Sequence, residues 1–277
     1  MRIRDEYDSR EKILPERDKN ATPVLETIGL GIDFGGLTAV DDFNLTVGRT
    51  EICGLIGPNG AGKTTVFNLL TKVYKPTRGK ILLDGGDTRG MTTIQANRAG
   101  IARTFQNIRL FKTLSVLDNV LIGMHNRTDY NMLTSTLRLP GYWREEKRAR
   151  EEALELLSIF EMQDQADVAA GSLPYGAQRR LEIVRALGTK PRLLLLDEPA
   201  AGMNPSETTE LMENIHKIRE RFQIAIMLIE HDMSLVMGIC EGIAVLNFGK
   251  IIAKGTPAEI GSNPVVIEAY LGKKREG

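Results

Sequence analysis

The sequence predicts an α/β fold built on a parallel core sheet, and three observations carry that reading. ICGLIG at 52–57, RLLLLDE at 192–198 and IAIMLIEH at 224–231 are short, nearly continuous apolar runs, as expected of strands buried on both faces. Helical periodicity separates these runs. Ahead of the first run, apolar residues alternate with polar ones, which predicts an antiparallel sheet at the N-terminal side.

In chain order, residues 1–22 alternate charges without a long apolar stretch or a small-residue cleavage site, so they read as a tail and not a secretory signal. Ile28, Leu30, Ile32 and Phe34, then Phe43, Leu45 and Val47, show the period-2 pattern of half-buried strands. After ICGLIG, residues Val66, Leu69, Leu70 and Val73 fall at helical spacing. A helical insertion is expected at about 107–171. Within it, WREEKRAREEALELLSIFEM at 143–162 places Ala153, Leu156, Leu157 and Phe160 on one face, with charged pairs such as Glu146 and Arg150 suited to solvent. LPYGAQRRLEIVRAL at 173–187 reads as a turn and a helix with Leu181, Val184 and Leu187 on one side. Two further buried strands follow, with a helix between them, and IAVLNFGKIIAKG at 243–255 predicts a hairpin around Phe248-Gly249. A final helix leads to a short tail at 273–277, so one domain spans 23–272; no internal repeat is visible.

The bulk numbers exclude several classes of function. The 36 basic and 36 acidic residues cancel, which removes the positive footprint of a protein whose main partner is nucleic acid or an anionic membrane. The apolar runs LLLL at 193–196 and IAIMLI at 224–229 fall well short of the roughly 18–20 residues needed to cross a bilayer. Cys53 and Cys240 lie in apolar runs without ligand-like spacing, so they read as small buried hydrophobes in a reducing compartment.

Chemistry concentrates at a few points. GPNGAGKTT at 57–65, comprising Gly57, Pro58, Asn59, Gly60, Ala61, Gly62, Lys63, Thr64 and Thr65, satisfies G-x-x-x-x-G-K-[ST] between a buried strand and a helix start. Glycines let backbone N–H groups approach phosphate oxygens, the Lys63 ammonium meets the β and γ phosphates, and the Thr64 hydroxyl can ligate Mg²⁺. A nucleoside triphosphate with Mg²⁺ is the implied pair. Asp197 and Glu198 end a strand of four leucines, where ligands of open α/β sheets bind. Asp197 would hold the metal through water and Glu198 would polarise the attacking water.

With Gln106 in RTFQNIRLF, the turn LPYGAQRRLEI, LDEPAAGMNP, and His231 in LIEHDM, these residues resemble the ABC ATPase family over about residues 24–272. The wording, including the closing EAYLG, is most similar to the larger-insertion ATPase of branched-chain amino-acid importers. The resemblance implies that Phe34 stacks on adenine with Val40 nearby, although Phe34 also reads as ordinary strand core. It further implies that Gln106 contacts Mg²⁺ or the water, that His231 hydrogen-bonds the γ-phosphate, and that Gly176 meets the ATP of a second subunit. A solvated loop glutamine and a structural strand-end histidine are the plain alternatives. Two motifs depart from the family: the usual L-S-G-G-Q signature stands here as Leu173-Pro174-Tyr175-Gly176-Ala177, and Asn204 replaces an aspartate.

The resemblance also implies a head-to-tail nucleotide-sandwich dimer, with a second copy or a related ATPase, on the cytoplasmic face of the membrane. Separate permease subunits would be the direct partners, a solute-binding protein only an indirect one, and nucleic acid none. The ATPase of a lipid or lipopolysaccharide exporter would share every motif. A non-transport ABC ATPase that clamps DNA would need a longer coiled-coil insertion after Gln106 than this chain has.

Overall fold

A computed structural model describes residues 22–125 and 140–271. The predicted tails, apart from Thr22, and residues 126–139 of the predicted insertion lie outside the described residues. In chain order the elements are β1 (Leu25–Phe34), β2 (Leu37–Val47), β3 (Ile52–Ile56), α1 (Lys63–Leu70), β4 (Arg78–Leu83), β5 (Gly86–Asp87), α2 (Thr93–Arg98), β6 (Ile101–Arg103) and α3 (Val116–Met124). There follow α4 (Pro140–Leu157), α5 (Tyr175–Leu187), β7 (Leu193–Asp197), α6 (Pro205–Phe222), β8 (Ala225–Ile229), α7 (Met233–Ile239), β9 (Gly242–Asn247), β10 (Lys250–Gly255), α8 (Pro257–Ser262) and α9 (Pro264–Leu271).

Two sheets organise the chain. The first is antiparallel, in the order β2-β1-β4-β5, and the second runs β10-β9-β3-β8-β7-β6. Within the second sheet every pairing is parallel except that of β10 with β9. Both faces of this sheet are covered, which is why its strands read as continuous apolar runs. Ile52, Ile56, Leu194, Leu196, Ile226 and Leu228 pack into a core shared with α3, α4 and α5. Their neighbours Cys53, Leu55, Leu193, Leu195, Ala225 and Met227 face a second core that includes Val66, Phe67, Leu69 and Leu70 of α1 and Leu30, Phe43 and Leu45 of the first sheet. Helix α1 is thus held between the two sheets, and each such fully buried large side chain contributes roughly 1.5–3 kcal/mol.

The N-terminal alternation is broken at two places. Leu30 and Ile32 are buried as predicted, but Ile28 is 39% and Phe34 45% exposed. The register of β1 against β2 shifts on either side of Leu30 and again after Ile32. At the first shift Gly29 adopts φ +55° and donates its N–H to Asn44 Oδ1 at 2.6 Å, so the pleat reverses and Ile28 turns outward. Val73 likewise lies outside its predicted helix: α1 stops at Leu70, and Lys72 at φ +61° carries the chain away. The charged face of α4 behaves as read, although Arg150 reaches across to Asp167 at 3.6 Å. Both cysteines are buried.

Candidate functional site

Parallel strands deliver the chemistry to one edge. At their C-terminal ends, β3 leads into the phosphate loop, β6 into Gln106, β7 into Asp197-Glu198 and β8 into Glu230-His231. This is the edge at which open α/β sheets bind ligands.

The phosphate loop is shaped by backbone crowding. An added Cβ at Gly57 would stand 2.0 Å from the Leu246 carbonyl oxygen, and one at Gly62 would stand 2.7 Å from that of Ala39. Both residues also hold positive φ, so no larger residue fits either position. The Lys63 ammonium folds back over the loop and donates to the Gly57 and Pro58 carbonyls at 2.6 and 3.0 Å. Burial lowers its affinity for the proton, while the carboxylates of Glu198 and Asp197 oppose that effect.

Asn59 to Thr65, Gln106, Glu198 and His231 line a cleft of about 630 Å³. The Glu198 carboxylate is held from two sides, accepting from Gln106 Nε2 at 2.8 Å and meeting His231 Nε2 at 2.7 Å. Its backbone sits at φ +49°, an unfavourable region for a residue with a side chain, and its N–H extends the ladder to the Ile229 carbonyl at 2.9 Å. Gln106, Glu198 and His231, which are 92 and 33 residues apart by pair, therefore form one constellation.

Other predicted site residues stand elsewhere. Asp197 is 3% exposed and its carboxylate pairs with Arg103 at 2.7 Å, so its place is beneath the cleft wall, where it balances a buried guanidinium. Arg103 also donates to Asn68 Oδ1 at 2.6 Å, joining α1 to β7. Val40 is fully buried in the second core and offers no surface to a ligand, because β2 packs that side inward. Phe34 is exposed instead of core, with its ring edge-to-face against Tyr74 at 5.2 Å between centroids. Gly176 is buried in the first turn of α5, where an added Cβ would come within 3.0 Å of Glu207 Oε1. It thus faces a carboxylate of its own chain. Pro174 is the N-cap of α5, and Ala177 is packed into the core.

Asn204 has a structural reason. It caps α6, accepting from Glu207 N at 3.0 Å while Glu207 Oε2 accepts from Asn204 N at 2.9 Å.

Sequence reasoning missed Arg103, Tyr74 and Glu230. The buried Glu230 carboxylate accepts from Ala200 N at 2.8 Å and from His231 N at 3.0 Å, tying the turn after Glu198 to the histidine turn. Burial raises its pKa above the ordinary carboxylate range. The adjacency of Glu230 to His231 was the one signal available for it.

For Mg²⁺ the donor set fits. The Thr64 hydroxyl, Gln106 and Glu198 present hard oxygens to one cleft, which suits a small cation completed by phosphate oxygens and water. Among the described residues no cluster of three His, Cys, Asp or Glu side chains could hold a metal by itself.

Comparisons with known proteins establish the family. The family described as ABC transporter matches residues 40–201, and the one described as branched-chain amino acid ATP-binding cassette transporter matches residues 250–276. The high-affinity branched-chain amino acid transport ATP-binding protein BraF of Pseudomonas aeruginosa is 48% identical over 251 residues, covering 91% of this chain and 98% of that protein. LivG of Escherichia coli K12, described in the same words, is 47% identical with the same coverage. A lipopolysaccharide export system ATP-binding protein, LptB of Acidithiobacillus ferridurans, is 35% identical, covering 84% of this chain and 90% of its own. An ABC-transporter ATP-binding cassette solved in its ADP conformation superposes with a TM-score of 0.79 at 29% identity, covering 91% of this chain and 99% of that one. This chain belongs to the ABC transporter family and is one of its ATPase subunits.

Proposed function

We propose that this subunit powers uptake of branched-chain amino acids through separate permease subunits, hydrolysing ATP at the cleft between the phosphate loop and Glu198. The observation that carries the hydrolytic reading is the double grip of Gln106 and His231 on the Glu198 carboxylate. When ATP enters, Lys63 exchanges the Gly57 and Pro58 carbonyls for the β and γ phosphates, a charge-assisted contact that its partly dry setting strengthens. The loop N–H groups and the start of α1 receive the remaining phosphate charge. Phe34, exposed beside Tyr74, stacks on the adenine. Glu198 orients and polarises the attacking water, and His231 hydrogen-bonds the γ-phosphate. Mg²⁺, held by Thr64 and Gln106 with Asp197 behind them, would neutralise charge on the β and γ oxygens.

No helix among the described residues is long and apolar enough to cross a membrane, so the solute path is assigned to other chains. We place the subunit peripherally at the cytoplasmic face, where ATP is supplied. Branched-chain amino acids are favoured as cargo by the higher identity to the import proteins and by the match at 250–276; the export protein is the weaker relative.

Glu198→Gln tests the mechanism. It keeps the shape and the acceptor toward Gln106 but removes the base, so ATP affinity by calorimetry should persist while turnover falls on the order of 10²-fold or more. Normal turnover would remove Glu198 from the proposed role. Leucine uptake by vesicles carrying this subunit with its permeases tests the cargo, and ATP hydrolysis stimulated by other solutes alone would refute it.

A further inference from the structure

Helix α5 does more than follow the signature turn, Leu173 to Ala177. Three of its side chains, spaced three residues apart on one face, grip the main chain of the glutamine loop. Arg179 donates to the carbonyls of Phe105 at 3.0 Å and Gln106 at 2.5 Å. Glu182 accepts from the Arg109 N–H at 3.2 Å, and Arg185 donates to the Arg109 carbonyl. Arg179 is 3% and Glu182 1% exposed. Burying a guanidinium is costly, and here the two carbonyls, the Tyr175 hydroxyl at 2.9 Å and the nearby Glu182 carboxylate together offset that cost. An apolar residue would fill the same space more cheaply if packing were the only requirement. What the arginine adds is geometry: two donors in a rigid fork that fix consecutive carbonyls, one of them belonging to the residue that holds Glu198.

We propose that Arg179, aided by Glu182 and Arg185, is the positioning residue that sets Gln106 against Glu198, so that the signature turn and Gln106 move as one body. Hydrolysis at a chain's own cleft is then tied to the placement of its own signature helix, which in an ATP-bound dimer is engaged by the opposite subunit. The proposal rests on the hydrolytic reading of Gln106 given above.

The test is a double-mutant cycle in the subunit assembled with its membrane partners. Arg179→Met should lower kcat for ATP about 10- to 100-fold, the size expected when a catalytic group is displaced by about an ångström. KM should stay within about twofold, because the phosphate loop is untouched. In a Gln106→Ala background Arg179→Met should cost nothing further, since both changes remove the same interaction. Arg179→Lys, which keeps a donor, should recover part of the loss. In the isolated chain, hydrogen exchange at the amides of residues 105–109 should speed up in Arg179→Met while the strands of the core sheet stay protected. If Arg179→Met fails to fold, Arg185→Met at the other end of the row carries the same cycle. Additive losses, or an Arg179→Met subunit with unchanged kcat, would overturn the proposal alone. A Gln106→Ala subunit at full kcat would overturn the role of Gln106 and this proposal with it.

Discussion

At the scale of single residues, the cleft rests on charges buried in its walls, Lys63 and Glu230 among them, while His231 stays open to solvent. Glu230 is the clearest case. Desolvation raises its pKa, the amides of Ala200, His231 and Asp232 oppose that, and the Glu198 carboxylate adds to the rise. A carboxyl with a raised folded-state pKa binds its proton more tightly in the folded chain than in the unfolded one. Its contribution to stability is therefore fully present at low pH, declines as pH rises from about 4.3, the unfolded value, through the folded value, and is constant above that. Glu230→Gln removes the titration. The difference in melting temperature, wild type minus variant, should fall as pH climbs from about 4.3 and then level off. A difference that grows with pH would mean that the carboxylate, once formed, is stabilised by its three amides beyond the cost of its burial. Asp197 and Arg103 show why such pairs escape a sequence reading: the partners are 94 residues apart, and nothing local to either marks the other.

At the scale of elements, legibility follows the number of faces that burial constrains. The strands β3, β7 and β8 are covered on both sides, so their apolar runs and the motifs at their ends could be read directly. Strand β1 is covered unevenly and carries register shifts, so a strict period of two misplaced Ile28 and Phe34. The N-terminus of α6 is a further case, in which a departure from the family pattern proves neutral to the fold. Asn204 and Glu207 exchange side-chain and backbone hydrogen bonds in a capping box, and asparagine serves as an N-cap about as well as aspartate does. Asn204→Ala should cost about 1 kcal/mol in urea unfolding, and Asn204→Asp should cost close to nothing. An aspartate variant as unstable as the alanine one would show that the cap is not what the position supplies.

At the scale of the whole molecule, the cleft and the Leu173–Ala177 turn lie on different parts of one chain, and we propose the head-to-tail dimer that the family resemblance implies, in which the cleft of one subunit meets the turn of another. A charge placed at the turn separates these two contributions if it leaves the host chain sound. Gly176→Asp would not, because its carboxylate would be forced against Glu207 of its own chain. Pro174→Asp avoids that clash. Pro174 is exposed at the N-cap of α5 with extended backbone angles that aspartate adopts readily, and a carboxylate there accepts the free amides of the first turn and opposes the helix dipole favourably. The isolated variant should melt no lower than the wild type and bind ATP with unchanged affinity. In a closed dimer the same carboxylate would face the γ-phosphate held by the opposite subunit, so hydrolysis should be lost. Mixing sharpens the test. In a two-fold dimer of a Lys63→Ala chain with a Pro174→Asp chain, one composite site collects both changes and the other neither. Each variant alone should be inactive, yet an equal mixture that exchanges subunits should regain roughly a quarter of wild-type turnover, since half the dimers carry one intact site of two. A native pairing with a different ATPase would show itself as partial loss in the single variants, because one site would lack the changed turn. If Pro174→Asp hydrolyses ATP at the full rate as a homodimer, the turn does not complete the opposite site, and the sandwich arrangement proposed for this subunit fails.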